Sequence, residues 1–299
     1  MHLKRLAVAL VVIPALYLYV MYLPPQYFLF LLTLVSTVAL AEFYAIAGVD
    51  GLVKYAGLFW GAVLLTMHFF ARDLFPEILM LASLSMLTVR LFVKKGPSGA
   101  VREATAAVFG LLYIPALMSF QLNIIKAGAP LLIMLYFAVW GSDSMALYIG
   151  KSMGKRKLYA EISPNKTVAG AVGSVIGGVI GALLIRFVLM DFMPVRKAVL
   201  LGLTVGLASI IGDLVESMFK RDADIKDSSS IIPGHGGVLD KVDSVTFAGP
   251  AFYWCCIMLN DFLPVSQQRR RFANPALDEA AAKARQLAKA VESFSHIQL

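Results

Sequence analysis

Residues 198–220 read Ala198-Val-Leu-Leu-Gly-Leu-Thr-Val-Gly-Leu-Ala-Ser209-Ile-Ile-Gly-Asp213-Leu-Val-Glu216-Ser-Met-Phe-Lys220. Most of this stretch is apolar, and it is long enough to cross ~30 Å of hydrocarbon as an α-helix, which takes about 20 residues. Four polar residues stand out in it: Ser209, Asp213, Glu216 and Lys220. Their spacings of four, three and four place them on one helical face. The stretch therefore predicts a membrane-spanning helix with a polar stripe.

The whole chain has the composition of a membrane protein. Of its 299 residues, 59% are hydrophobic and 15% are charged, against about 25% charged residues in soluble domains. This excludes a soluble enzyme, a disordered chain and a secreted disulfide scaffold. We predict an all-α fold, a polytopic helical integral membrane protein with about nine transmembrane helices and a polar funnel that faces the cytoplasm. The predicted spans are 6–23, 27–47, 55–71, 74–93, 104–124, 129–149, 168–190, 198–219 and 244–263.

The basic residues indicate how the chain is oriented. The net charge is +8, and the Lys and Arg residues lie mainly in loops that are cytoplasmic if the N-terminus is cytoplasmic. This pattern favours contact with anionic lipid head groups over nucleic acid. The run Arg269–Arg271 conflicts with it, since it would lie outside. We divide the chain into N-terminal transmembrane helices (1–125), a catalytic transmembrane domain (126–265) and a soluble or interfacial amphipathic tail (266–299).

Small residues recur every four positions in the seventh predicted span. They are Ala169, Gly173, Gly177 and Gly181. Such a face is nearly bare of side chains and lets membrane helices approach closely. We expect close helix packing here.

Asp143 and Asp213 lie inside apolar runs, where an ionisable group is costly and indicates a site. Asp143 has no basic residue in its own run, and Asp213 lies on the polar stripe beside Gly212. Asp143 could instead be a structural carboxylate that is hydrogen-bonded to a neighbouring helix. A structural ion pair between Glu216 and Lys220 would explain those two residues but not Asp213.

Two polar loops flank the stripe. Residues 150–167 carry five basic residues next to the start of a helix, which suits a polyphosphate, although the loop could also serve only to set topology. Residues 220–243 contain a Gly-His-Gly-Gly turn at 234–237, whose amides can face a phosphate. Asp240 and Asp243 follow it at a helix start. Carboxylates without cysteine, and with few histidines, favour Mg²⁺ over Zn²⁺.

Residues 217–243 resemble the signature of the phosphatidate cytidylyltransferases, also called CDP-diacylglycerol synthases. That signature is Ser-x-x-Lys-Arg-x4-Lys-Asp-x-small-x2-apolar-Pro-x-His-Gly-Gly-apolar-x-Asp-Arg-x-Asp. The chain matches it from Ser217 to Asp243 except that Lys241 replaces the arginine, which keeps the charge but loses the bidentate fork. Asp143-Ser144 and residues 162–170 also look like the family, with Ala169 at a position that is usually acidic. The similarity covers about residues 140–243.

The resemblance implies transfer of CMP from CTP to phosphatidic acid, which gives CDP-diacylglycerol and pyrophosphate. It implies Mg²⁺ as cofactor, and CTP, phosphatidic acid and membrane lipids as partners, with a homodimer left open and no nucleic acid. It also implies a bacterial inner membrane location with the site facing the cytoplasm. The expected catalytic residues are Asp213, Asp240, Asp243 and Lys226, and the three aspartates are the expected metal ligands. The expected substrate-binding residues are Asp143, Ser163, Lys166, Lys220, Arg221, His235, Gly236, Gly237 and Lys241.

Two other functions remain open from the sequence. A CTP-dependent polyprenol or lipid kinase would also join CTP to a membrane lipid, but it would transfer a phosphoryl group and release CDP. A transporter could use the buried acids to carry protons or cations, although the Gly-His-Gly-Gly turn would then be unexplained.

Overall fold

The computed structural model describes residues 13–94, 96–229 and 236–259. Over these residues the chain forms ten α-helices and one β-hairpin. The helices are α1 (Ile13–Tyr22), α2 (Pro25–Ala47), α3 (Gly51–Phe70), α4 (Phe75–Val93), α5 (Ala100–Leu111), α6 (Phe120–Ala127), α7 (Ala129–Met153), α8 (Val168–Leu189), α9 (Val195–Asp222) and α10 (Leu239–Met258). The strands β1 (Lys157–Tyr159) and β2 (Ser163–Thr167) lie between α7 and α8.

The predicted all-α membrane class is confirmed. Seven helical segments of the described residues are long and apolar enough to cross a bilayer, namely α2, α3, α4 with the turn before it, α5 with α6, α7, α8 and α9. The predicted span 6–23 is described only from residue 13, where α1 lies. The predicted span 244–263 corresponds to α10, which begins at Leu239 and carries Asp240, Lys241 and Asp243 at its start. The count of nine spans stays a prediction, and the predicted tail 266–299 lies outside the described residues.

The small residues of α8 pack against the neighbouring helices, as predicted. Gly177 and Gly181 lie against the backbone of α7, where no Cβ would fit. On the other side of α8, a Cβ on Gly178 would lie 2.5 Å from the carbonyl oxygen of Gly202 on α9. The hydroxyls of Ser142 and Ser174 hydrogen-bond across the contact between α7 and α8. Helices α7, α8 and α9 therefore approach almost backbone to backbone.

The helix formed by α5 and α6 is interrupted by a π-helical segment, Leu112–Ala116. Pro115 lies inside it and has no N–H to donate, which widens the hydrogen-bond ladder at this point. The segment carries Tyr113, which is 3% exposed. The Tyr113 ring centroid lies 5.3 Å from that of Phe219 on α9 and 6.3 Å from that of Phe247 on α10. The N-terminal helices thus contact the part of the chain that carries the polar stripe.

The β-hairpin connects α7 to α8 and directs a basic residue toward α9. Strands β1 and β2 are antiparallel, and Thr167 at the end of β2 caps α8 by accepting a hydrogen bond of 3.1 Å from the Gly170 N–H. This cap fixes where the strand ends and the helix begins. Lys166, the residue before the cap, is thereby held beside α9, where it donates to the Ser217 hydroxyl at 3.5 Å.

Candidate functional site

Three carboxylates meet where α9 packs on α10. Asp213 and Glu216 lie one turn apart on α9, and Asp243 lies near the start of α10. One oxygen of each lies within 4.8 Å of the others. A Cβ on Gly212 would lie 2.5 Å from the Asp243 carbonyl oxygen, so glycine lets the two helices approach this closely. We call Asp213, Glu216 and Asp243 the acidic cluster.

The acidic cluster is partly buried and needs positive charge close by. Glu216 is 1% exposed and Asp243 8%, whereas the Asp213 side chain is 42% exposed. Lys166 Nζ lies 2.7 Å from Asp213 Oδ1. Lys220 Nζ contacts Glu216 Oε2, which is the i,i+4 pair expected from the sequence. Like charges this close repel one another, and the ammonium groups beside Asp213 and Glu216 offset part of that repulsion.

Asp240 lies beside the acidic cluster but is held by other groups. Its Oδ1 accepts a hydrogen bond of 2.6 Å from Lys220 Nζ. Its Oδ2 accepts from the N–H and the hydroxyl of Ser228 at 3.1 and 3.0 Å, and from the Gly237 N–H at 2.7 Å. Gly236 precedes it with φ +82°, a backbone conformation that suits glycine. Asp240 therefore ties the loop between α9 and α10 (residues 223–238), which we call the signature loop, to α9.

A cavity of ≈ 780 Å³ opens beside the cluster. The predicted residues that line it are Asp143, Ser163, Lys166, Asp213, Asp240 and Asp243. The basic residues Lys151 and Lys157 line it as well. Asp143 accepts a hydrogen bond of 3.2 Å from the Ser244 hydroxyl of α10. Carboxylates, lysines and hydroxyls from α7, the hairpin, α9 and α10 thus face one space.

The other predicted residues lie around this cavity. Arg221 donates to the carbonyls of Ile162 at 3.2 Å and Ile225 at 2.9 Å, so it joins α9 to the hairpin loop and the signature loop. Lys226 and Lys241 are exposed. Gly236 and Gly237 form the turn before α10, and His235 lies outside the described residues. The structure thus groups six of the predicted residues on the cavity wall, with Lys220 just behind them.

A match to a family model includes all of the described residues. The model is described as the cytidylyltransferase family, and it matches residues 3–259. The chain belongs to the cytidylyltransferase family. The resemblance drawn from residues 140–243 is therefore confirmed, and the match includes the N-terminal helices as well.

Curated relatives of this cytidylyltransferase come from several bacteria. An Escherichia coli protein called YnbB, described as uncharacterised, is 34% identical over 75% of this chain and 78% of its own. A phosphatidate cytidylyltransferase of Bacillus subtilis is 36% identical over 60% of this chain and 66% of its own. One of Haemophilus influenzae is 43% identical over 42% of this chain and 45% of its own. The alignments to these two enzymes thus span less than two thirds of their lengths.

One acid of the cytidylyltransferase was missed by the sequence analysis. Glu42 on α2 is 4% exposed. Its carboxylate accepts hydrogen bonds from Ser228 in the signature loop and from Leu239 at the start of α10, 186 and 197 positions further along the chain. The sequence does mark Glu42 as a candidate, because it is an ionisable residue inside the predicted span 27–47. The same property singled out Asp143. The pairing of Lys166 with Asp213 was also missed, since nothing in the spacing connects the two residues.

Proposed function

We propose that this cytidylyltransferase transfers the cytidylyl group of CTP to phosphatidic acid, which gives CDP-diacylglycerol and pyrophosphate. The observation that carries the proposal is the acidic cluster on a lysine-lined cavity between membrane helices. The signature at 217–243 and the names of the Bacillus and Haemophilus relatives support the same reaction. The protein is an integral membrane enzyme with seven apolar helices in its described part.

The reaction joins two anions. A phosphate oxygen of phosphatidic acid forms a bond to the α-phosphorus of CTP, and the bond from that phosphorus to the oxygen of the β-phosphate breaks. Pyrophosphate leaves with the electron pair. A phosphomonoester is largely ionised at neutral pH, because its second pKa is about 6. The reaction therefore requires charge neutralisation and alignment more than a strong general base.

The lysines of the cavity suit that task. Lys166 lies on the cavity wall, and Lys151 and Lys157 lie nearby on the same wall. We assign Lys166 to the phosphates of CTP, with Ser163 beside it in β2. Arg221, Lys226 and Lys241, the other basic residues of the signature, would hold phosphates at the rim. Lys220 neutralises Glu216 and Asp240 and so supports the site from behind.

The acidic cluster fits a divalent metal ion such as Mg²⁺. All its donors are carboxylate oxygens, which hard cations prefer. Glu216 Oε1 is buried and has no hydrogen-bond partner among the described residues, so the cluster retains an unused acceptor. Asp213 and Asp243 would hold the metal ion, with Asp143 assisting from across the cavity. When bound, the ion would offset the negative charge of the phosphates in the transition state.

Asp240 was expected to join Asp213 and Asp243 at the metal. Both of its oxygens already accept hydrogen bonds from Lys220, Ser228 and Gly237. These bonds favour a role in fixing the signature loop. Gly236, Gly237 and His235 would shape the same turn near the phosphates.

The cavity also suggests how the substrates arrive. We infer that the cavity opens to the cytoplasm of a bacterial inner membrane, because the basic loops favour that orientation. CTP would enter from water, and phosphatidic acid would enter from the side with its acyl chains in hydrocarbon. The same proposal divides the chain into N-terminal transmembrane helices (1–125), a catalytic transmembrane domain (126–265) and a soluble or interfacial tail (266–299).

The test uses the purified protein with phosphatidic acid, Mg²⁺ and CTP labelled with ³²P at either the α or the γ position. We expect the lipid product to carry label from α-labelled CTP only, and the label of γ-labelled CTP to appear in pyrophosphate. Transfer of γ-label to the lipid with release of CDP would identify a lipid kinase instead. Cation or proton flux in proteoliposomes without CTP, and no lipid product, would identify a transporter.

A further inference from the structure

The carboxylate of Glu42 is surrounded by hydrogen-bond donors from one distant segment. Its Oε1 accepts from the Ser229 hydroxyl at 2.5 Å and from the Val238 N–H at 3.0 Å. Its Oε2 accepts from the Ser228 hydroxyl at 3.0 Å and from the Leu239 N–H at 2.7 Å. All four donors lie 186 to 197 positions along the chain from Glu42. One carboxylate on α2 thus gathers both ends of the signature loop.

Glu42 also serves as the cap of α10. The first N–H groups of a helix have no partner within the helix and need an acceptor. Val238 precedes α10 and provides no side-chain cap. The N–H groups of Val238 and Leu239 donate to Glu42 instead, and a negative charge at a helix N-terminus is favourable.

Gly237 is required by this arrangement. A Cβ at Gly237 would lie 2.5 Å from Glu42 Oε2 and 2.6 Å from Oε1. Any side chain there would displace the carboxylate from the helix start. The last glycine of the Gly-His-Gly-Gly turn therefore provides the space that the Glu42 carboxylate and the Ser228 hydroxyl occupy.

The contacts of Glu42 continue to the acidic cluster. The Ser228 hydroxyl lies 3.0 Å from Glu42 Oε2 and also 3.0 Å from Asp240 Oδ2, so the two carboxylates share its one proton. Asp240 accepts a hydrogen bond from Lys220, and Lys220 also contacts the Glu216 carboxylate. The α10 backbone that Glu42 caps carries Asp243, one turn further on. A shift of this helix start would move both Asp240 and Asp243.

We propose that Glu42 is a positioning residue that holds the signature loop and the start of α10 in the conformation needed for catalysis. Glu42 does not lie among the residues that line the cavity, and it is 4% exposed, so it acts through the loop and not on a substrate. The effect on turnover depends on the proposed function; the effect on the loop does not.

The test compares Glu42→Gln with Glu103→Gln in the full-length protein. The glutamine NH₂ group would face one of the backbone N–H donors, so one half of the cap is lost while the volume is kept. Glu103 is a matched control, a buried acid of the N-terminal helices that pairs with Arg90 at 2.6 Å and Lys94 at 2.7 Å. Within the described residues, Glu103 is not among those that line the cavity, and its ion pairs are with Arg90 and Lys94.

The first readout is hydrogen exchange without substrates. We expect the amides of residues 236–243 to exchange about tenfold faster in Glu42→Gln, whereas Glu103→Gln leaves them unchanged. The second readout is steady-state kinetics. We expect kcat to fall about tenfold or more in Glu42→Gln, because small misplacements of catalytic groups are costly, while KM for CTP changes less than threefold.

Three outcomes would overturn the proposal: unchanged exchange at 236–243, faster exchange with unchanged kcat, or an equal loss of kcat in Glu103→Gln.

If Glu42→Gln does not fold, Ser228→Ala gives the test, because it removes the hydroxyl between Glu42 and Asp240. It should speed the same exchange and lower kcat severalfold at unchanged Tm, and wild-type values for both would overturn the proposal. Absence of CDP-diacylglycerol formation by the unmodified protein would refute the proposed function, while the exchange data would still test the loop.

Discussion

Replacing Lys220 with methionine removes the single ammonium group that two carboxylates share. The Lys220 side chain is 11% exposed, and those of its partners Glu216 and Asp240 are 1% and 10% exposed. Breaking a buried ion pair by removing one partner costs about 3–5 kcal/mol, since a charge is left without compensation. That is a large part of the roughly 5–15 kcal/mol that stabilises a typical domain. At roughly 2–4 °C per kcal/mol, we expect Tm to fall by about 6–20 °C.

The two carboxylates do not share this cost equally. Asp240 keeps the hydrogen bonds from Ser228 and Gly237 when the lysine is removed. Glu216 keeps only the neighbouring carboxyl group of Asp240, which cannot replace the positive charge of the lysine. Most of the penalty therefore falls on Glu216, and the double variant Lys220→Met with Glu216→Gln should recover most of the lost Tm.

The assay is thermal unfolding in detergent, with Lys166→Met as the control. The pair of Lys166 with Asp213 is more accessible, with side chains 21% and 42% exposed, and such a pair contributes about 0–1 kcal/mol. We expect Lys166→Met to change Tm by only a few degrees but to abolish most activity, because Lys166 lines the cavity. The reasoning is refuted if both lysine variants lower Tm equally, or if the Glu216→Gln change recovers nothing.

Four further predictions concern the site and its surroundings. Asp213→Asn should abolish CTP turnover at nearly unchanged Tm, and Glu216→Gln should be milder; the opposite order would contradict the assignment of Asp213 as ligand. Gly212→Ala should lower activity and cost about 1–3 kcal/mol, as overpacking does, since its Cβ would meet the α10 backbone, whereas Gly96→Ala, with open space around it, should change neither. Excess chelator should abolish activity and Mg²⁺ should restore it better than Zn²⁺; full activity in chelator would exclude the metal. Truncation before Arg269 should leave an active enzyme, and an inactive but stable truncated protein would show that the tail contributes.

Local patterns in the sequence were sufficient for the helical membrane class and for one face of the site. The apolar runs predicted the spans because their length is set by the bilayer. The spacing of Asp213, Glu216 and Lys220 placed them on one face of α9, and the structure has the pair of Glu216 with Lys220. These features depend on residues within a few turns of one another, so periodicity reveals them.

The contacts between distant segments could not be predicted in the same way. Lys166 reaches Asp213 because Thr167 ends β2 and caps α8 beside α9, and no spacing in the sequence encodes that approach. Whether Asp240 or Glu216 lies nearer to Asp243 depends on how α9 packs on α10. That packing depends on Gly212, and only the structure shows that the backbone beside Gly212 is that of α10 at Asp243.

Glu42 shows why the N-terminal helices belong to the site even though the signature lies far from them. A buried carboxylate without donors would be costly in an apolar helix, and a helix start without an acceptor would be costly as well. The contact between Glu42 and the N–H groups of Val238 and Leu239 removes both costs at once. Neither segment satisfies its polar groups alone, so the helix that carries Glu42 and the loop that carries Gly237 depend on each other for their conformation.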